Sequence, residues 1–142
     1  MANFNDAPQI LKDFLIYHET IKGQSEKTIS EYYLDLRMFF RFIKLMRNEM
    51  PVRTNLNDIP IKDIDLEFIR TITTSDVFDF LSYLARDRSV NPDAPAPEYG
   101  ISSSSRSRKL SAIKSFYKYL TVRTKLLTEN PVADLEYPKL RK

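Results

Sequence analysis

Residues 102–125 read SSSSRSRKLSAIKSFYKYLTVRTK. Within them Leu110, Ile113, Phe116, Tyr117 and Leu120 recur at spacings of three and four, which at about 100° per residue makes one apolar stripe along an α-helix. On the same wheel Arg108, Ser111, Lys114, Ser115 and Lys118 gather opposite that stripe, with Ser104, Ser107 and Lys125 beside them. The segment holds seven cations and no acidic residue. A solvated helix face ordinarily mixes Glu with Lys, because pairs four residues apart support it; unrelieved cations repel one another unless a polyanion neutralises them. Small hydroxyl side chains between the cations let the backbone approach a surface and donate to phosphate oxygens or groove edges. Two readings stand at this point: a nucleic-acid contact, and a basic face that only meets water.

Working outward, the 142-residue chain has the length of one domain able to bury a single core. With 42% hydrophobic residues and 12% aromatics it reads as globular, and its two glycines argue against a sheet of tight hairpins, whose turns need positive φ. Net charge is only +3, yet it is unevenly spread: residues 1–50 balance 7 basic against 7 acidic side chains, 51–100 hold 5 against 9, and 101–142 hold 10 against 3. Such asymmetry points the last third toward an anionic partner. There is no cysteine, hence no disulfide framework or thiolate metal site. The N-terminus lacks a basic region followed by an apolar run, and no stretch is long enough to cross a bilayer, so a cytoplasmic protein with no membrane contact is expected.

Pro8 opens a first helical pattern of Leu11, Phe14, His18 and Ile21, which Gly23 ends. His18 lies on the apolar stripe without a companion ligand, so it reads as a packed residue at the core edge. Ser25 then caps a helix to about Met46, with Ile29, Tyr32, Leu36, Phe39, Phe40 and Ile43 as its buried face. Lys27, Ser30, Leu34, Arg37, Arg41 and Lys44 form a second basic stripe, flanked by Glu31 and Asp35, whose nearness equally suits a solvated face. Pro51, Asn55, Asn57, Asp58 and Pro60 mark a loop, followed by a short acidic helix over about Asp63–Arg70. Thr74 or Ser75 caps a further helix with Val77, Phe80, Leu81 and Leu84 inward, and NPDAPAPEYG, residues 91–100, is a loop. The basic helix is expected to end near Leu127. No glycine-rich phosphate loop, paired metal ligands or nucleophile with a base at workable spacing occurs, so neither catalysis by this chain nor a cofactor or small-molecule ligand is expected.

Four segments in this order resemble one family. EKTISEYYLDLRMFFRFI (26–43) is similar to the second helix of the N-terminal core-binding domain of tyrosine recombinases of the phage-integrase and Xer type, with Thr28, Tyr32, Asp35 and Leu36 at matching places. ITTSDVFDFLSYL (72–84) sits where that domain has its third helix, and SRKLSAIKSFYKYL (107–120) resembles its fourth. ENPVADLEYPK (129–139) resembles the run into the linker before the catalytic domain. Where many relatives carry two arginines, Tyr33 and Leu34 stand here. The loops at 47–73 and 91–100 also read longer than in compact Xer proteins.

The resemblance implies an all-α fold, a compact SAM-like bundle of four to five helices, in one domain over 1–142 whose residues 136–142 begin the linker to a catalytic domain not present in the chain. It implies double-stranded DNA as partner, with other recombinase protomers in the synaptic complex. Catalysis would belong to arginines, a histidine and a nucleophilic tyrosine of the other domain. The residues expected to meet DNA are Lys27, Thr28, Ser30, Arg37, Arg41 and Lys44 on the second helix, and Arg106, Arg108, Ser111, Lys114, Ser115 and Lys118 on the basic one. A helical module binding an acidic protein is the alternative.

Overall fold

A computed structural model describes residues 4–47, 55–86 and 102–138; the loop expected over 91–100 lies outside them. Among the described residues every regular element is helical. The order is α1 (Gln9–Thr20), α2 (Glu26–Met46), a 3₁₀ turn (Leu56–Asp58), α3 (Leu66–Arg70), α4 (Thr74–Arg86) and α5 (Ser103–Lys118), which runs into a π-helical turn (Tyr119–Arg123).

Local chemistry sets the ends of these elements. Pro8 precedes α1 in extended conformation and Ser25 caps α2, its hydroxyl accepting from the Thr28 amide. Between them Gly23 takes φ +66, a left-handed turn that costs a residue without Cβ little, so α2 folds back beside α1. Asp65 accepts from the Phe68 amide, which starts α3 at Leu66, inside the expected span. For α4 the cap is Thr73, one residue earlier than expected. Its hydroxyl accepts from the Asp76 amide while Asp76 Oδ2 accepts from the Thr73 amide, a reciprocal box that neither Thr74 nor Ser75 makes. Ser102 caps α5 by accepting from the Ser105 amide.

α2 and α5 form the centre, with α1 and α4 packed to either side. Phe116 of α5 meets Phe14 of α1 edge-on at 5.3 Å and Phe40 of α2 at 5.6 Å, and Phe39 meets Phe80 of α4 at 5.2 Å. The five residues expected on the inner stripe of α5 are all buried. On α2 the expected face is one residue out at one point: Tyr33 is buried and Tyr32 only partly, and Phe42 joins the core. Tyr33 turns inward because its hydroxyl donates to Asp6 and its ring packs at a tilt against Phe4, centroids 4.7 Å apart. Tyr117 is buried and its hydroxyl donates to the Ile69 carbonyl at 3.1 Å, tying α5 to α3; burial holds its ionisation well above the usual phenol range.

One polar contact runs through this core. Asp35 of α2 is 1% exposed. Its carboxylate accepts from Lys109 Nζ at 2.7 Å, and from Arg108 at 3.3 Å (Nε) and 3.1 Å (Nη2), across 73–74 residues of chain. Lys109 is itself buried. Deleting one member of a buried pair strands the other charge, at about 3–5 kcal/mol. Asp35→Leu should therefore lower stability by that order, and Asp35→Leu with Lys109→Met should recover most of the loss; urea unfolding midpoints of the three proteins check this.

Candidate nucleic-acid interface

The exposed face of α5 carries the expected residues, in three different situations. Arg108 has a half-exposed side chain whose guanidinium reaches inward to Asp35. Ser111 and Lys114 lie under Tyr137 from the C-terminal segment: the Ser111 hydroxyl donates to Tyr137 Oη at 3.2 Å, and Lys114 Nζ sits 4.9 Å from the ring centroid. Ser115 and Lys118 line a cavity at the far end of the helix. Arg106, in the first turns of α5, is half-buried.

The stripe on α2 is less continuous than its spacing implied. Lys27 is exposed, and Thr28 and Ser30 are half-buried, Thr28 accepting from the Ser25 hydroxyl at 3.1 Å. Arg37 lies 3.5 Å from Asp6 and donates to the Tyr33 hydroxyl at 3.4 Å, while hydrogen bonds from Tyr33 and Arg37 outweigh partial burial and lower the Asp6 pKa. Arg41 Nε donates to the Ile59 carbonyl at 2.9 Å. Lys44 departs from the expectation of an outward cation. Only 2% of it is exposed, its Nζ donating to the Pro60 carbonyl at 2.7 Å and pairing with Asp63, whose pKa this hydrogen bond lowers. The chain after α2 returns along the helix and supplies these acceptors, which a wheel of α2 cannot show.

The two helices meet in a groove of about 280 Å³, lined by Leu34, Arg37, Met38 and Arg41 from α2, Arg108 and Lys109 from α5, Leu56 and Asn57 from the 3₁₀ turn, and Asp35. Four cations share this groove with one carboxylate. Spacing alone placed Arg37 and Arg41 on one stripe of α2 and Arg108 on another helix; the fold brings the three to one anion-receptive surface. The reading from spacing missed Asp35 and Lys109 as partners. Their signal was present: Lys109 falls in register with Ile113, Phe116 and Leu120, and Asp35 with Phe39 and Phe42, so each is one charged residue in an apolar stripe.

Comparison with known proteins follows the same lines. The family model for the phage integrase N-terminal SAM-like domain matches residues 10–125. The chain is similar to a tyrosine recombinase XerC of Caldanaerobacter subterraneus subsp. tengcongensis, 36% identical over 94% of this chain and 35% of the relative. It is similar to a XerC of Leptospira interrogans, 30% identical over 92% and 32%, and to a XerS of Streptococcus uberis, 32% identical over 66% and 24%. The chain thus spans about a third of the XerC relatives it matches. No solved structure matches it significantly. Among the described residues no helix is long and apolar enough to cross a membrane.

His18 is buried as expected, with Nδ1 donating to Gln24 Oε1 at 2.8 Å and Phe14, Tyr17 and Tyr32 around its ring. Burial, with Lys22 adding to it, lowers its pKa, against the opposing bond to Gln24. The unfolded chain then takes up the proton first as pH falls, so His18 contributes stability above about pH 6.5 that is lost as pH drops through its folded value. Urea midpoints at pH 7.5, 6.0 and 5.0 should fall stepwise, and His18→Gln should flatten that slope.

Proposed function

The chain belongs to the phage-integrase N-terminal SAM-like family, and from that premise we propose that it grips duplex DNA at a recombination site, in the cytoplasm, while a catalytic domain of the same protein exchanges strands. The observation that carries this is the groove between α2 and α5, which Arg37, Arg41, Arg108 and Lys109 line together with the single carboxylate of Asp35, with Lys114, Ser115 and Lys118 further along α5. Asp35 neutralises one of its two α5 partners, so the contact that holds the helices together leaves positive charge at the surface. Duplex phosphates meet that surplus, and Arg108 and Lys114 have the length to reach guanine edges in a major groove. Other protomers of the recombinase complete the assembly on DNA. The relatives, named as tyrosine recombinases, support the parent activity.

A helical module for an acidic protein is the second reading, and the unpaired cations of α5 alone would suit it too. Salt separates the two. With about four to six phosphates neutralised, log affinity for duplex should fall linearly with log salt at a slope of roughly −4 to −5, from non-specific constants of about 10⁻⁴ to 10⁻⁶ M near physiological salt. Anisotropy of a labelled duplex measures it, and absence of binding at low salt favours the protein partner.

The geometry also ranks the residues. Arg37 and Arg41 are engaged with Asp6, Tyr33 and Ile59, so Arg37→Ala with Arg41→Ala should weaken duplex binding less than Arg108→Ala with Lys114→Ala. Alanine serves better than a reversal at Arg108, since a glutamate there would face Asp35. Lys44→Met should leave affinity within about twofold while lowering stability by about 1–3 kcal/mol, because its bonds lie inside the bundle. The same titrations, with urea midpoints for each variant, test the order.

A further inference from the structure

At the end of the bundle away from the α2–α5 groove, a cavity of about 270 Å³ is lined by Tyr17, His18, Lys22 and Gln24 from α1 and its following turn, Tyr32 from α2, and Ser115, Lys118, Tyr119 and Arg123 from α5 and the π turn. Three cations line it and no carboxylate does. Among the described residues none of the three makes an ion pair.

Two helix ends converge here, and cations near helix C-termini have an ordinary reason to be there. The C-terminus of a helix carries about −0.5 of an elementary charge. The ends of α1 and α5 together thus supply about −1 against three cations, which leaves about two positive charges unanswered.

The backbone supplies an independent observation. Lys118 and Arg123 are five residues apart, which in a regular α-helix sets them about 140° from each other. After Lys118 the chain takes a π turn, closed by the Thr124 amide donating to the Tyr119 carbonyl at 3.0 Å, five residues back. Hydrogen bonding of that period widens the turn and brings residues five apart closer to one face than in an α-helix, and single π turns are frequent at functional sites. The Thr121 hydroxyl donates to the Tyr117 carbonyl at 2.8 Å and the Thr124 hydroxyl to the Leu120 carbonyl at 3.2 Å, holding the widened turn. Its consequence is that Lys118 and Arg123 line the same cavity.

We propose that the Lys22–Lys118–Arg123 cavity is a phosphoryl-binding socket, with Ser115 as a neutral donor and Tyr17, Tyr32 and Tyr119 as walls. The volume is that of about nine waters and falls just below the roughly 300–1,000 Å³ of small-molecule sites, which suits one phosphoryl group and its sugar better than a whole nucleotide cofactor. The source of the phosphoryl group follows from position: Ser115 and Lys118 belong to the same α5 face as Lys114, so a backbone phosphate of the duplex already proposed to lie there is the occupant. The source rests on the DNA reading; the socket chemistry does not.

The test uses the whole chain, Lys22→Gln/Arg123→Gln, and Lys62→Gln as an exposed cation outside the cavity. Adding duplex should shift the His18 ring proton resonances, and the double variant should lose that shift and flatten the salt slope by about 1.8, or 0.9 per cation, while Lys62→Gln does neither. Circular dichroism confirms the fold of each. A salt slope and His18 signals indifferent to the double substitution, in a chain that still needs Arg108 and Lys114 for duplex, would overturn the socket and leave the DNA reading standing. If duplex does not bind, millimolar inorganic phosphate tests the socket alone: a His18 shift abolished in the double variant supports phosphoryl binding and overturns DNA as its source, and no shift overturns both.

Discussion

A carboxylate with 1% of its surface exposed must be met by donors or protonated, and Asp35 is met by two cations from another helix. This constraint decides how α5 lies. Sliding α5 by one turn would carry Lys109 about 5.4 Å from Asp35 and leave both charges buried and bare. A buried ion pair is weak evidence of stability, because desolvation offsets most of the attraction. Its consequence here is register: with Lys109 turned in, Leu110, Ile113 and Phe116 face the core and Ser111, Lys114 and Ser115 face outward.

The aromatic core works with that register. Phe116 touches rings from both α1 and α2, so the rotation that satisfies Asp35 also seats this ring between Phe14 and Phe40. Beyond Lys118 the helix changes period, and the Leu127 amide then donates to the Leu120 carbonyl at 3.1 Å as the chain turns back. Leu127 and Val132 are buried in the returning segment, the Pro131 carbonyl accepts from the Thr74 hydroxyl at 2.6 Å, and Tyr137 comes to rest on Lys114. The returning segment is therefore packed against α4 and α5.

Helix existence and type were legible because apolar spacing marks each helix and, at Ser25 and Gly23, local chemistry acts where it was expected to. The faults lie where a single residue decides a face. Tyr32 and Tyr33 are adjacent and about 100° apart, and the choice between them was made by Asp6 and Phe4, from a segment with no periodicity to read. Lys44 fits an outward stripe by spacing, yet its stem lies along the bundle and its ammonium meets acceptors 16 and 19 residues further on. Composition carried the sign of the surface correctly but could not say which cations were already engaged. The π turn has no local signature beyond Thr121 and Thr124, whose hydroxyls donate to carbonyls of the preceding turn.

Sorting the basic residues by engagement moves the centre of the proposed interface. Lys44 and Lys109 pair with buried or nearby carboxylates, Arg37 lies 3.5 Å from Asp6, and Arg41 is tied to the Ile59 carbonyl while keeping its charge, so these cations are partly committed to the bundle before any partner arrives. Lys114, Lys118, Lys22 and Arg123 have no carboxylate partner among the described residues, and they cluster toward the C-terminal half of α5 and the adjoining end of α1. Exposed charges separated by less than about 8–10 Å interact appreciably at physiological salt, so such a cluster acts as one field and attracts a polyanion more strongly than the same cations dispersed. On α2 Tyr33 is folded inward, and Leu34 beside it is exposed and uncharged. With few free cations on α2 and an unpaired set on α5 and the π turn, the electrostatic centre of this surface lies along α5, and a duplex following that field would lie toward the π turn.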